Sequence, residues 1–294
     1  SGLVRLVPFK VALAAGGFVG RMSYWLFVRH RRTAFDSLRT AYGCDRASIR
    51  RIAGQCFLIM GELLFETIYY ALRRDAVLGR VRIVGEENLR AALAKGKGAV
   101  CLTAHFGNFP IMMYALRESG YPVNTMLRPL RAEQTSAFLE RLMLGRSIIP
   151  IFSYPRKEAI FKSLKALRNN ELLFVLMDQN FGTGGVWVRF FGKLAATPVG
   201  PIVLASRAQA PIVPMRIVRE GPGMHAVHIE PELTLETRDD PEESTLMNAI
   251  AITRKIEGWI RNNPEQWGWI HRRWKSQPTP DEAARKYAVE GAGV

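Results

Sequence analysis

Acidic side chains are in short supply in this chain. There are 26 Asp and Glu against 41 Lys and Arg in 294 residues, a formal charge of +15. A balance this basic points to polyanionic partners: nucleic acid, an anionic membrane surface or an acidic carrier protein. Cysteine is scarcer still. Cys44, Cys56 and Cys101 are odd in number, have apolar neighbours and show no C-x-x-C spacing, so there is no basis for a disulfide framework or a zinc site. A reducing compartment fits. Neither H-E-x-x-H nor a clustered His/Cys spacing occurs, and no metal is expected. The serine nucleophile elbow G-x-S-x-G is missing. No RRM, helix-turn-helix or zinc-finger pattern accompanies the basic charge, so nucleic acid is not the expected partner. Internal repeats and low-complexity tracts are absent too.

No run of 18 uncharged apolar residues appears, but two segments come near. Residues 7–28, VPFKVALAAGGFVGRMSYWLFV, are broken only by Lys10 and Arg21 and are followed at once by RHRR. An apolar body with Tyr24 and Trp25 at one end and a basic cluster beyond reads as an interfacial helix on an anionic surface. Residues 56–72 are apolar but carry Glu62 and Glu66.

Residues 1–80 read as a helical membrane-associating region, with Gly43 and Asp45 punctuating a helix pair. The pattern changes at about residue 81. Short apolar runs of strand type (81–85, 98–105, 122–127, 147–152, 172–177) alternate with helical stretches. Residues 211–218 and 224–230 are spaced to pair across the turn sequence EGPG, and 241–262 form a long amphipathic helix. This alternation predicts an α/β domain over 81–276, with a mostly parallel central sheet flanked by helices. A polar tail follows over 277–294.

His105 ends the buried run GAVCLTAH, and ligands in α/β sheets gather beyond the carboxyl ends of strands. Asn108 is suited to cap the next helix, and Pro110 suits its first turn, where a missing N–H costs nothing. Gly107 allows close backbone approach. Free N–H groups at a helix start can stabilise an oxyanion or a phosphate. Helix-start chemistry therefore accounts for HFGNFP without requiring catalysis.

The stretch LTAHFGNFP resembles the active-site segment of the lysophospholipid acyltransferase superfamily. The closer likeness is to the bacterial lipid A late acyltransferases (lauroyl and myristoyl transferases) and the mycobacterial phosphatidylinositol mannoside acyltransferases. It is carried further by RHRRTAFDSLRTAYG (29–43), LMDQNFG (176–182), VRFFGKLAATPVGP (188–201), RAQAPIVPM (207–215) and NPEQWGWIHRRWK (263–275). It implies that His105 is a general base on an acceptor hydroxyl that attacks an acyl thioester, a task that suits a neutral imidazole. The backbone near Gly107 and Asn108 would receive the oxyanion. No cofactor is implied, with acyl carrier protein or coenzyme A supplying the acyl group as co-substrate. The acceptor would be a glycolipid or lysolipid. The expected location is a bacterial inner membrane, at its cytoplasmic face.

The family pattern H-x-x-x-x-D/E fails here, because the acidic position holds Pro110 and the next acid is Glu118. Three readings stay open: a carboxylate from elsewhere orients His105, a backbone carbonyl does, or activity is lost. Asp178 ends the run LLFVLM and would reach the same sheet edge in a parallel sheet, which favours the first. Arg128, after the strand 122–127, and Arg189 are candidates for phosphate contacts. Gln179 is a candidate for hydroxyl binding.

Overall fold

The structure is a computed structural model describing residues 7–73, 77–129, 133–182, 185–280 and 282. Most of the polar tail from 277 onward lies outside the described residues. Three helices precede the first strand: α1 (Phe9–Leu26), α2 (Val28–Tyr42) and α3 (Arg46–Leu72). Gly43, with a left-handed φ of 55°, ends α2. Asp45 starts α3 by accepting hydrogen bonds from the N–H groups of Ala47 and Ser48, the role its position predicts. The break at Phe27 was not visible in the sequence; there α1 and α2 meet at 87°.

α1 lies against α3 across a seam of glycines, Gly16 and Gly20 facing Gly61. A Cβ on Gly20 would sit 2.4 Å from the Phe57 carbonyl oxygen, and one on Gly61 2.3 Å from that of Gly16. The two backbones are therefore too close for any side chain at these positions. α3 is long and apolar enough to cross a membrane by length and composition. Its Cys56, Glu66 and Tyr70 are buried against the rest of the chain.

The remaining strands and helices are β1 (Val81–Val84), α4 (Glu86–Leu93), β2 (Ala99–Thr103), α5 (Phe109–Glu118), β3 (Val123–Leu127), α6 (Glu133–Gly145), β4 (Ile148–Phe152), α7 (Arg156–Arg168), β5 (Leu172–Leu176), β6 (Val186–Phe190), β7 (Lys193–Thr197), α8 (Gly200–Ala208), β8 (Ile212–Gly221), β9 (Met224–Ile229) and α9 (Pro241–Asn262). The central sheet has seven strands in the order β1-β9-β8-β2-β5-β3-β4. From β8 to β4 every pairing is parallel, while β9 runs antiparallel to β8, as the EGPG turn predicts. The fold is α/β with a mostly parallel sheet, as expected. Residues on β2 and β5 alternate between two hydrophobic layers. Val100, Leu102, Leu173 and Val175 face one; Ala99, Cys101, Leu172 and Phe174 face the other. The sequence motif VRFFGKLAAT forms a separate antiparallel hairpin, β6–β7, whose Phe190 packs on Trp267 and Trp274.

Candidate active site

β2 and β5 are parallel neighbours, and Thr103 is in register with Leu176. One further backbone bond, from Met177 N–H to the Thr103 carbonyl, carries the pairing past the strand ends. His105 and Asp178 each stand two residues past that registered pair. Equal offsets from a shared register bring them face to face at the carboxyl edge of the sheet.

His105 meets Asp178 twice. Its backbone N–H donates to Oδ2 at 3.0 Å, and its ring Nδ1 lies 2.9 Å from Oδ1. The indole N–H of Trp267 donates to Oδ2 at 2.7 Å. The Asp178 side chain is 1% exposed and that of His105 35%. Burial alone would raise the Asp178 carboxyl. The charge of His105, the ring hydrogen bond, the Trp267 N–H and the His105 backbone N–H outweigh it and hold the carboxyl below its ordinary range. An ionised carboxylate only accepts, so Nδ1 carries a proton toward it, and in the neutral form of the ring Nε2 is the bare nitrogen. Nε2 is left as a lone-pair acceptor with no bond to any described residue. The ring also stacks edge-on against Phe109 at 5.2 Å.

Asn108 caps α5 as its position predicts, accepting from the Ile111 N–H at 3.4 Å, with Pro110 in the first turn. The side chain is buried and turned inward. Nδ2 donates to the Leu63 carbonyl and to Glu66 Oε2, each at 3.2 Å, and Oδ1 lies 2.9 Å from the Thr67 hydroxyl. Glu66 Oε2 is also 2.9 Å from Nε2 of the fully buried His225. α3 thus anchors the histidine loop from beneath, and Asn108 is a structural tie.

Gly107 is tied to the C-terminal segment through its backbone. Its N–H donates to the Gln266 carbonyl at 2.9 Å, so it is not free to receive an oxyanion. The Asn108 N–H makes no bond among the described residues. The glycine is required by geometry: φ is +54°, and a Cβ would fall 2.1 Å from the Ile217 carbonyl oxygen.

Arg128 is exposed at the carboxyl end of β3, which pairs with β5, and is near enough to His271 for its charge to be felt there. Gln179 is half-buried beside Asp178, and its carbonyl faces Arg273. Arg189 lies on β6, in the separate hairpin rather than on a strand of the central sheet. Its guanidinium bonds the Gly192 carbonyl at 3.0 Å across the tip of its own hairpin, so it braces the β6–β7 turn.

Sequence reasoning missed the C-terminal segment's part in this arrangement. NPEQWGWIHRRWK carries the family likeness, but nothing local marks which of its residues face inward. Trp267 and Trp269 are buried, and Trp267 holds Asp178 while its own carbonyl accepts from the Cys56 thiol. Gln266 bonds both backbone groups of Arg219 and receives the Gly107 N–H. His271 Nε2 accepts the Asn180 N–H at 3.0 Å. Burial pushes its pKa down to about 4, with Asp178 pulling up and the charges of His105, Arg273 and Arg128 pushing down, so a second neutral imidazole stands at this edge. Arg273 is buried too, and burial lowers its pKa to about 10. It donates to Thr197 Oγ1 at 2.6 Å. Among the described residues no three His, Cys, Asp or Glu side chains are grouped to hold a metal ion.

A lipid A biosynthesis lauroyltransferase from Escherichia coli is 24% identical over 284 residues, covering 94% of this chain and 89% of that protein. A palmitoleoyltransferase of lipid A biosynthesis from the same organism is 24% identical over 291 residues, with the same coverage. A phosphatidylinositol mannoside acyltransferase from Mycolicibacterium smegmatis is 26% identical over 208 residues, 69% of this chain and 65% of that one. The family model for bacterial lipid A biosynthesis acyltransferases matches residues 2–276. With the match running from the first helix through the tryptophan segment that holds Asp178, this chain belongs to the bacterial lipid A biosynthesis acyltransferase family.

Proposed function

We propose that the protein is a membrane-associated O-acyltransferase that moves a fatty acyl chain from a thioester to a hydroxyl of a glycolipid or lysolipid. The observation that carries the reading is the contact between His105 Nδ1 and the buried Asp178 carboxylate. It leaves Nε2 able to accept a proton. The acceptor hydroxyl gives its proton to Nε2 as its oxygen attacks the thioester carbonyl carbon. The tetrahedral oxyanion collapses, the C–S bond breaks, and the departing thiolate takes the proton from the imidazolium. Asp178 stabilises that imidazolium and keeps the ring oriented. The Asn108 N–H is the remaining backbone donor of the two expected for the oxyanion. Arg128 is placed to meet a phosphate of donor or acceptor, and Gln179 to meet a hydroxyl.

The donor is acyl carrier protein or acyl coenzyme A; the charge of +15 supports an acidic carrier. Membrane association is supported by the α1–α2 corner, where Trp25 and Leu26 are each 67% exposed beside Phe27 and a run of basic residues. The place is the cytoplasmic face of a bacterial inner membrane. A second reading, a lipid-binding homologue without catalysis, is motivated by Pro110. The Asp178 contact weighs against it, because the imidazole has a carboxylate partner without an acid at that position. His105→Ala decides between them. With acyl-carrier and acyl-coenzyme A donors and lipid acceptors, transfer by the intact chain is expected and should vanish in the variant. Unchanged transfer in the variant would overturn the mechanism.

A further inference from the structure

A cavity of about 200 Å³ opens where the end of α2 meets the start of α3, lined by Phe35, Arg39, Arg46, Ile49 and Arg50. Arg46 and Arg50 are one helical turn apart on α3 and share a face. Arg39 comes from the last turns of α2. Among the described residues none of the three guanidinium groups is paired with a carboxylate. The two acids close in sequence do not neutralise them. Asp45 is committed to the α3 cap, its oxygens accepting from Ala47 N–H, Ser48 N–H and the Ser48 hydroxyl. Asp36 is exposed and forms no ion pair among the described residues.

Three exposed like charges around one cavity repel each other through water, and an anion between them relieves that repulsion. The volume is below the range of about 300–1,000 Å³ common for small-molecule pockets, so the space suits a compact group. Guanidinium planes match the oxygens of a phosphate bidentately. The half-buried Phe35 and buried Ile49 supply an apolar wall, which lowers the local dielectric and strengthens that pairing. The source of the phosphate follows from position. α2 begins at the exposed apolar corner of Trp25, Leu26 and Phe27, and its exposed residues include Arg29, Arg32 and Arg39. A basic line thus runs from that corner to the cavity, over about 20 Å of helix.

We infer that the cavity lined by Arg39, Arg46 and Arg50 is a binding site for the headgroup phosphate of an anionic lipid, which fixes how the protein sits on the membrane. This rests on the reading that the α1–α2 corner lies on the bilayer.

The test is co-sedimentation of the full chain with vesicles of equal parts phosphatidylglycerol and phosphatidylcholine. Arg46→Gln/Arg50→Gln is compared with Arg156→Gln/Arg168→Gln on α7, which removes the same charge from exposed positions elsewhere. The cavity variant should bind about ten-fold or more weakly, and the α7 variant within about two-fold of the intact chain, given roughly a five-fold contribution per basic side chain at an anionic surface. Equal losses in the two variants, or intact binding by the cavity variant, would overturn the site. Trp25→Ala/Phe27→Ala separates the two readings. If it abolishes binding while the cavity variant binds normally, the corner stands and the cavity site falls. If it changes nothing while the cavity variant still loses binding, the site stands and the corner reading falls. Inorganic phosphate should displace the protein from vesicles no better than chloride at equal ionic strength. Displacement specific to phosphate and lost in the cavity variant would make free phosphate the ligand and overturn the lipid assignment.

Discussion

His105 and Asp178 each stand two residues beyond a paired strand end, Thr103 on β2 and Leu176 on β5, and so share one edge of the sheet although 73 residues separate them. The carboxylate takes both the backbone N–H and the ring Nδ1 of the same histidine, which locks the ring's plane as well as its tautomer. In Asp178→Asn, an amide that presents its NH₂ toward Nδ1 would favour the opposite tautomer and block Nε2. The expected loss in kcat is about 10²- to 10⁴-fold, read by steady-state transfer from a thioester donor. The double variant with His105→Ala should be no worse than His105→Ala alone, since the two residues act as one unit. A loss in Asp178→Asn far smaller than in His105→Ala would remove Asp178 from the mechanism.

Trp267→Phe keeps an aromatic ring in the packed cluster but deletes the N–H held by Asp178 Oδ2. A hydrogen bond to a charged group is worth about 1.5–3 kcal/mol, so kcat should fall by roughly ten-fold or more with KM nearly unchanged. With one stabilising donor gone the Asp178 carboxyl titrates higher, which an NMR titration of its side chain detects. A change confined to KM would argue that Trp267 contacts substrate instead.

Gly107→Ala places a methyl against the Ile217 carbonyl at a left-handed φ. The backbone has to shift, at a cost of about 2–3 kcal/mol and a Tm lower by roughly 3–5 °C. Because that shift breaks the Gly107–Gln266 bond, activity should fall further than stability. Thermal melting and initial rates on the same preparation separate the two.

His271 carries a pH dependence of stability with a definite sign. Its ordinary pKa of 6.5 is pushed down to about 4 in the folded chain. Between those values the unfolded chain binds a proton that the folded one refuses, so stability is full above about pH 6.5 and falls as pH drops toward 4. Asp178, held low, adds a further loss only below the ordinary carboxylate range. His271→Gln should flatten the fall in Tm between pH 7 and pH 5. An undiminished fall in that variant would assign the effect to other groups.

Much of this architecture was legible in the linear chain. The apolar runs became strands within a residue or two, Asp45 and Asn108 start their helices, and 241–262 is one helix as its periodicity predicts. The hairpin β6–β7 was less visible, because its strands are short and one face is covered by tryptophans from the far end of the chain. Asp178 was reachable by counting along two buried runs and assuming a parallel sheet. The inward turn of Asn108 was not, since its partners Glu66 and Thr67 lie about forty residues upstream on a helix whose apolar face gives no hint of them. Arg189 sits in a family-like motif, and only the fold shows its guanidinium donating to the Gly192 carbonyl of its own hairpin.

By itself the sequence determined what depends on near neighbours. Strand and helix identity follow from apolar period, helix starts from side-chain caps, and the placement of His105 at a strand end from the run before it. Only the tertiary structure decided which groups complete the site: the Asp178 carboxylate, the Trp267 N–H at a separation of 89 residues, and the Gln266 carbonyl that closes off Gly107. These depend on strand register and on where the C-terminal segment returns, and such contacts between distant parts of the chain leave no local periodic trace.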